Sequence, residues 1–279
     1  MPTTLYSSTS TDSFSLETVL YKTTDGGDSW QFLTLDVGPV VVDPHDSATI
    51  YGPETRIRTD FPEGPGTSGI AKSTDGGQTW TVTDIAANAA TTQVVVDPIT
   101  STTLYAVTTR GIRTPLWVVW KSTDGGGSWV PVVSSEVDVF GVLAIDPAAP
   151  DTIYLRSRRS GILKSTDGGS TWTAINNGLP TIDVNALAID PLASSTLYLG
   201  GVGLGQSGGV FKSTDGGSSW VPLNESLTDR DVNDLEIDAH GVLHAATGSG
   251  LFVLRQPHAG PALNVSPESV ARGGVVTAS

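Results

Sequence analysis

Seven of the ten arginines fall in three short stretches: Arg56 and Arg58, Arg110 and Arg113, and Arg156, Arg158 and Arg159. A guanidinium is planar, permanently charged and rich in donors, so a cluster of them suits a carboxylate, sulfate or phosphate group. Phe61 and Trp117 lie in the same stretches, and exposed aromatics can stack on sugar rings. One reading is therefore a ligand patch made of these nine residues. The other is a solvated charge mosaic, in which the arginines pair with Glu54, Asp60, Glu63 and Asp138 and the aromatics pack on their own loops. Further chemistry is thin. There is no cysteine, hence no thiol nucleophile, disulfide or Cys-based metal site. His45, His240, His244 and His258 form no ligand cluster, because His240 falls in a turn and His244 on a strand. The glycine-rich run Gly200 to Gly209 opens no helix, so it reads as a loop and not as a phosphate cradle. The expectation is no metal and no cofactor.

Composition narrows the partners. Lys plus Arg is 15 and Asp plus Glu is 29, a net charge of -14. Nucleic acid and anionic membranes would be repelled. Charged residues make up only 16%, too few for a disordered acidic tail. The 32 glycines and 17 prolines favour many short strands over long helices. No apolar run reaches the roughly 18 residues of a spanning helix, and MPTTLYSSTS shows no signal-peptide pattern.

The elements that position these side chains repeat. KTTDGGDSW (Lys22 to Trp30), KSTDGGQTW (Lys72 to Trp80), KSTDGGGSW (Lys121 to Trp129), KSTDGGSTW (Lys164 to Trp172) and KSTDGGSSW (Lys212 to Trp220) are near copies. Their aspartates, Asp25, Asp75, Asp124, Asp167 and Asp215, are 50, 49, 43 and 48 residues apart. In phase with them run apolar segments ending at Asp43-Pro44, Asp97-Pro98, Asp146-Pro147 and Asp190-Pro191, with a weaker copy at Asp238-Ala239. Pairs of the Leu-Tyr type follow at Leu5–Tyr6, Ile50–Tyr51, Leu104–Tyr105, Ile153–Tyr154 and Leu197–Tyr198.

Each unit thus reads as four strands. A precedes Asp-Pro, B holds the tyrosine, C ends at the lysine and D starts at the Trp. The Asp-Gly-Gly corner supplies the positive φ angles of a tight C–D turn. Four strands in every 40–50 residues or so, without helical periodicity, predict an all-β fold: a β-propeller of about six four-stranded blades. In such a meander the A–B and C–D turns share one face, and the B–C and D–A loops share the other. The arginine stretches are placed in B–C loops, so the second face is the expected binding face.

The nine-residue segments resemble the Asp-box (BNR) repeat, S-x-D-x-G-x-T-W, across about residues 1–255, with Thr23 in place of Ser in the first copy. Propellers of this kind include sialidases, xyloglucanases, sortilin-type receptors and the photosystem II assembly factor family. The residues themselves suggest a structural staple. The aspartate can cap its own turn, and Trp30, Trp80, Trp129, Trp172 and Trp220 are expected to bury their rings between blades.

The resemblance also brings enzyme readings. Sialidase activity would need a Tyr–Glu nucleophile pair. Tyr6, Tyr51, Tyr105, Tyr154 and Tyr198 all hold the strand-B position, however, and Tyr21 lies on strand C. A xyloglucanase-like hydrolase would need two carboxylates across a cleft. Asp183 and Asp231 are the candidates, each seven residues before the strand-A aspartate of its unit, a recurrence that also marks repeat structure. The expected function is a non-catalytic binding scaffold for a glycan or protein segment on the B–C/D–A face. The alternatives are a sialidase- or xyloglucanase-type glycoside hydrolase and a propeller resembling the photosystem II assembly factors. The partner expected is a glycan or protein, with the arginines suiting an anionic one; the chain itself is expected to be a monomer.

The ends depart from the repeat. The first unit lacks strand A, and the sixth shows A, B and C without a box. Residues 256–262 read as a Pro/Gly linker. Residues 263–279 read as the truncated start of an immunoglobulin-like module, in keeping with a fragment of an extracellular or envelope protein.

Overall fold

The computed structural model describes residues 4–10, 18–54, 68–86, 89–110, 116–133, 139–157, 160–180, 183–203, 208–225, 227–238, 241–254 and 265–268. All regular structure among them is β, and the strands form six antiparallel sheets. The first has three strands: β1 (Leu5–Ser10), β2 (Thr18–Thr23) and β3 (Gln31–Leu35). The second runs β4 (Val41–Val42), β5 (Ile50–Pro53), β6 (Ser68–Ser73), β7 (Thr81–Ala86). The third runs β8 (Ala90–Val96), β9 (Leu104–Arg110), β10 (Leu116–Ser122), β11 (Val130–Val133). The fourth holds β12 (Val139–Ile145), β13 (Ile153–Ser157), β14 (Gly161–Ser165) and β15 (Thr173–Ala174). The fifth holds β16 (Asp183–Ile189), β17 (Leu197–Val202), β18 (Gly209–Ser213) and β19 (Val221–Pro222). The sixth holds β20 (Val232–Ile237), β21 (Leu243–Thr247), β22 (Gly250–Leu254) and β23 (Val265–Glu268). The fold is the expected all-β propeller. No helix among the described residues is long and apolar enough to cross a membrane.

The sixth sheet gains a fourth strand whose place in the blade the sequence did not reveal. β23 pairs with β22, Leu254 opposite Val265 and Leu251 opposite Glu268. It therefore takes the D position, within the segment read as the opening of an immunoglobulin-like module. Residues 256–262 and 269–279 lie outside the described residues.

The chain divides into two compact units, Met1–Val142 with Gly273–Ser279, and Leu143–Arg272. In each, strand B carries the core. Ile50, Leu104, Ile153, Leu197 and Leu243 are completely buried, and Tyr51, Tyr105, Tyr154 and Tyr198 beside them are nearly so. These strands are covered on both faces, which is why they read as unbroken apolar runs. Strand D is the opposite. Val82, Val130 and Val221 on it are exposed, and Pro131 and Pro222 remove a backbone donor there. Proline is tolerated on an edge strand for that reason.

Two side-chain devices set the turns. After strand A, Asp43, Asp97, Asp146 and Asp190 accept the N–H two residues on, from His45, Ile99, Ala148 and Leu192. At the C–D corner both glycines take positive φ, 70° and 95° at Gly76 and Gly77, angles at which a side chain is disfavoured. The N–H of Gly76 donates to Ala48 O in the A–B turn of the same sheet; Gly125 and Gly216 bond Thr102 O and Ser195 O in the same way. The C–D corner and the A–B turn therefore lie together at one end of these blades, as expected.

Candidate functional site

At the corner end the conspicuous carboxylates are fully occupied. Asp75 Oδ1 accepts the Ser73 hydroxyl at 2.8 Å and the N–H groups of Gln78 and Thr79 at 2.9 Å, while Oδ2 accepts the Thr79 hydroxyl at 2.6 Å. Ser73 Oγ in turn accepts the Gly77 N–H at 2.8 Å. Asp124, Asp167 and Asp215 repeat the arrangement, each taking its strongest bond from the hydroxyl four residues on: Ser128, Thr171 and Ser219. Those bonds favour the ionised form and hold the four carboxyls at about 2. Asp25 is pushed further down, first by Ser29 and then by Thr23. Every lone pair so used is unavailable to a ligand, which gives these aspartates a structural role.

The tryptophans behave less uniformly than expected. Trp220 is 3% exposed and donates from Nε1 to Ile175 O at 2.8 Å. Trp80, Trp129 and Trp172 are half-buried and turn their N–H groups back onto the second glycine of their own corner. Trp30 is 39% exposed, so the expectation of a ring buried between blades fails for this copy.

The lysines before the corners have a function that the sequence did not disclose. Each faces the strand-B tyrosine across the ladder, as Tyr51 opposite Lys72 and Tyr154 opposite Lys164. The five ammonium groups sit 5.1–5.6 Å from the centres of these rings, within cation–π range. Lys22, Lys72 and Lys164 also donate to the carbonyl of the first corner glycine in the next blade, Gly76, Gly125 and Gly216, at 3.0, 3.0 and 2.9 Å. The repetition of Lys and Tyr was the available signal; the glycine carbonyl leaves none in a sequence.

The opposite blade end carries those singled-out residues that are described, Arg110, Trp117, Arg156, Asp183 and Asp231. Arg110 and Arg156 lie on strands β9 and β13 and not in B–C loops as expected, because strand B runs longer than the repeat suggested. Trp117 is likewise on β10, half-buried and opposite Thr109, while Arg110 is exposed and faces Leu116 across the same ladder. Arg56, Arg58, Phe61, Arg113, Arg158 and Arg159 lie outside the described residues, as do Asp60, Glu63 and Asp138. Asp183 opens β16 and is exposed. Arg156 Nη2 donates to its Oδ1 at 2.6 Å. This pairing within the second unit joins a residue expected to bind ligand to one expected, in an enzyme, to be catalytic. Asp231 is exposed just ahead of β20, and its N–H donates to Asp229 Oδ1 at 3.0 Å. Asp229 Oδ2 accepts the Ser249 hydroxyl at 2.7 Å, the main reason its carboxyl lies below the usual range. Asn185 on β16 donates to Val232 O at 3.0 Å, linking the two strands that carry Asp183 and follow Asp231.

Asparagines complete this end. In the fourth sheet strand D leaves after two residues, and Asn176 Oδ1 accepts the Ile162 N–H at 2.9 Å in its place. Asn224 does the same for Val210 at 2.8 Å in the fifth. His244 takes the tyrosine position in the sixth sheet, with Nε2 3.3 Å from Asp238 Oδ2. Among the described residues no three His, Asp or Glu side chains come together to hold a metal ion.

No family model matches the sequence, and neither does any curated protein. Solved structures do. An ancestral GH74 enzyme aligns at a TM-score of 0.69 and 20% identity, covering 96% of this chain and 39% of that one. The GH74 xyloglucanase from Xanthomonas campestris aligns at 0.54 and 16%, covering 95% and 52%. YCF48 bound to a D1 peptide aligns at 0.57 and 15%, covering 85% and 70%. Identities this low show a shared fold. The chain spans about two-fifths to one-half of the length of these two GH74 proteins.

Proposed function

We propose that this propeller is a non-catalytic binding scaffold that takes a protein segment or a glycan at the B–C/D–A ends of its blades, and that its corners are Asp-box repeats. The observation that carries this reading is the 2.6 Å contact between Arg156 and Asp183. One oxygen of that carboxylate is already engaged by the guanidinium of its neighbouring strand, so the pair forms a fixed polar surface at the blade end. The corner ends have spent their carboxylates on their own backbone. The far ends present exposed Arg110, Asp183 and Asp231 and half-buried Trp117, a mixture of charge and aromatic surface that suits recognition. The likeness to YCF48, described as bound to a D1 peptide, supports a protein segment as ligand.

The second reading is a glycoside hydrolase of the xyloglucanase type, favoured by the TM-score of 0.69 to an ancestral GH74 enzyme. It would use Asp183 and Asp231, equivalent positions at the start of two successive A strands. One experiment separates the two. The chain is assayed on xyloglucan oligosaccharides and aryl glycosides, and in parallel on peptide and glycan arrays. The binding reading expects retention without turnover, weakened by Arg158→Ala with Arg159→Ala and by added salt. Turnover that disappears in Asp183→Ala or Asp231→Ala overturns it.

A further inference from the structure

The first corner is built like the others but covered unlike them. Gly26 and Gly27 take φ of 78° and 109°, close to the 70° and 95° of Gly76 and Gly77 and the 67° and 93° of Gly216 and Gly217. Thr23 Oγ1 accepts the Gly27 N–H at 3.1 Å, and Asp25 Oδ1 accepts the Ser29 N–H at 3.0 Å. The turn is thus held by its own side chains and offers the same backbone groups. Yet Gly76, Gly77, Gly125 and Gly126 are buried, whereas Gly26 is exposed and Gly27 half-buried.

The cover at the other corners has two parts. The carbonyls of Gly76, Gly125 and Gly216 accept the ammonium groups of Lys22, Lys72 and Lys164. Beside them an aliphatic side chain lies over the second glycine, Leu33 at Gly77 and Ile175 at Gly217. Gly26 and Gly27 instead face open space where a Cβ would stand, and among the described residues no backbone group donates to Gly26 O. The chain holds no spare lysine for this carbonyl, because all five sit over the tyrosines of their own blades. In the sixth sheet His244 and Val253 take the register that Tyr198 and Lys212 hold in the fifth, so its third strand brings no ammonium.

Charge points to what the first corner takes. Asp28 follows its two glycines, where the other corners have Gln78, Gly127, Ser170 and Ser218. Asp28 is exposed, and an added carboxylate beside a bare carbonyl attracts a cation. Trp30 in the same segment is also exposed. We propose that the first corner binds a lysine side chain of another protein, its ammonium donating to Gly26 O beside Asp28 and a neighbouring aliphatic side chain covering Gly27. A charge-assisted bond of this kind is what the molecule itself makes three times. A second copy of the chain is a poor source, since its lysines are engaged and its net charge is -14. The site lies at the corner end, so it does not depend on the ligand proposed for the B–C/D–A ends.

The test is an NMR titration of the full chain with the peptide acetyl-Leu-Lys-Leu-amide and with its Nε-acetyl-lysine counterpart. The lysine peptide is expected to shift the Gly27 amide and the Trp30 indole signals saturably, with the Gly126 amide unmoved. The acetylated peptide, which has lost the charge, should bind about tenfold more weakly or less. Gly26→Ala should weaken the lysine peptide by about as much, because a Cβ at the equivalent Gly76 would stand 2.7 Å from Lys22 Nζ. Asp28→Lys leaves the glycines untouched and should weaken it about threefold or more. No shift with the lysine peptide overturns the proposal, as do equal binding of the acetylated peptide and parental affinity in Asp28→Lys. Signals that move on dilution of the parent alone would assign the corner to a second copy and overturn it too.

Discussion

Lys72 Nζ lies 5.1 Å from the centre of the Tyr51 ring and donates to Gly125 O at 3.0 Å. One ammonium thus meets an aromatic face of its own blade and a carbonyl of the next. Removing it loses a cation–π contact and a charge-assisted hydrogen bond, together about 1–3 kcal/mol. Lys72→Met is expected to lower stability by that amount in urea denaturation, and Lys164→Met to do so comparably in the second unit. A midpoint indistinguishable from the parent in both would remove the bridging role.

Acid should loosen the corners. Asp75, Asp124, Asp167 and Asp215 are held at about 2 in the folded chain, with Asp25 lower still, against about 3.9 in an unfolded one. A depressed carboxyl contributes stability that is present above the unfolded value and is lost as pH falls through the folded one. The denaturation midpoint is expected to hold near pH 5 and drop between about pH 4 and pH 2. Asp75→Asn should flatten part of that slope. A midpoint that stays level down to pH 2 would contradict the hydrogen-bond pattern.

Glycine matters unequally along the chain. Gly178 has φ of 88°, and a Cβ there would run into the Trp220 carbonyl. Gly26 has φ of 78° and faces open space where a Cβ would stand. Gly26→Ala should carry only the backbone penalty, about 1–2 kcal/mol. Gly178→Ala should cost clearly more, because the alanine must also displace a neighbouring main chain. Thermal melts of the two variants compare the terms directly, and equal losses would show that the loop after β15 yields to the methyl group.

The Arg156–Asp183 pair should contribute little to folding despite its short distance. Its carboxylate side is 64% exposed and its guanidinium side 24%. Water screens such pairs, and their coupling is within about 1 kcal/mol. A double-mutant cycle with Arg156→Ala and Asp183→Asn is expected to return that value, while ligand retention changes with either substitution. A large coupling in stability without effect on binding would make the pair purely architectural.

The fold was largely readable because a corner such as KSTDGGSSW fixes one turn, and its recurrence fixes the strand number around it. What escaped was what repetition does not encode. β23 follows a proline-rich stretch and has no Asp-Gly-Gly corner before it, so its alternating residues were read as the opening of another β module and not as strand D of the sixth blade. Arg110 and Arg156 were placed in loops because strand B varies in length, from four residues in β5 to seven in β9. Asp183 stood out by its position, but its guanidinium partner lies 27 residues away, a separation that local pattern cannot join. Trp30 occupies the same place in its segment as Trp220 and yet is exposed, because burial is decided by the surface a ring packs against.

Lys22, Lys72 and Lys164 project forward from their blades, and Gly76, Gly125 and Gly216 offer a carbonyl backward. A single repeat therefore carries both the plug and the socket of its own joint. Tandem copying of such a unit yields compatible junctions on either side without a compensating substitution, so growth by duplication is mechanically cheap for this architecture. Selection is then left free to diversify the distant loops, where copies no longer need to agree.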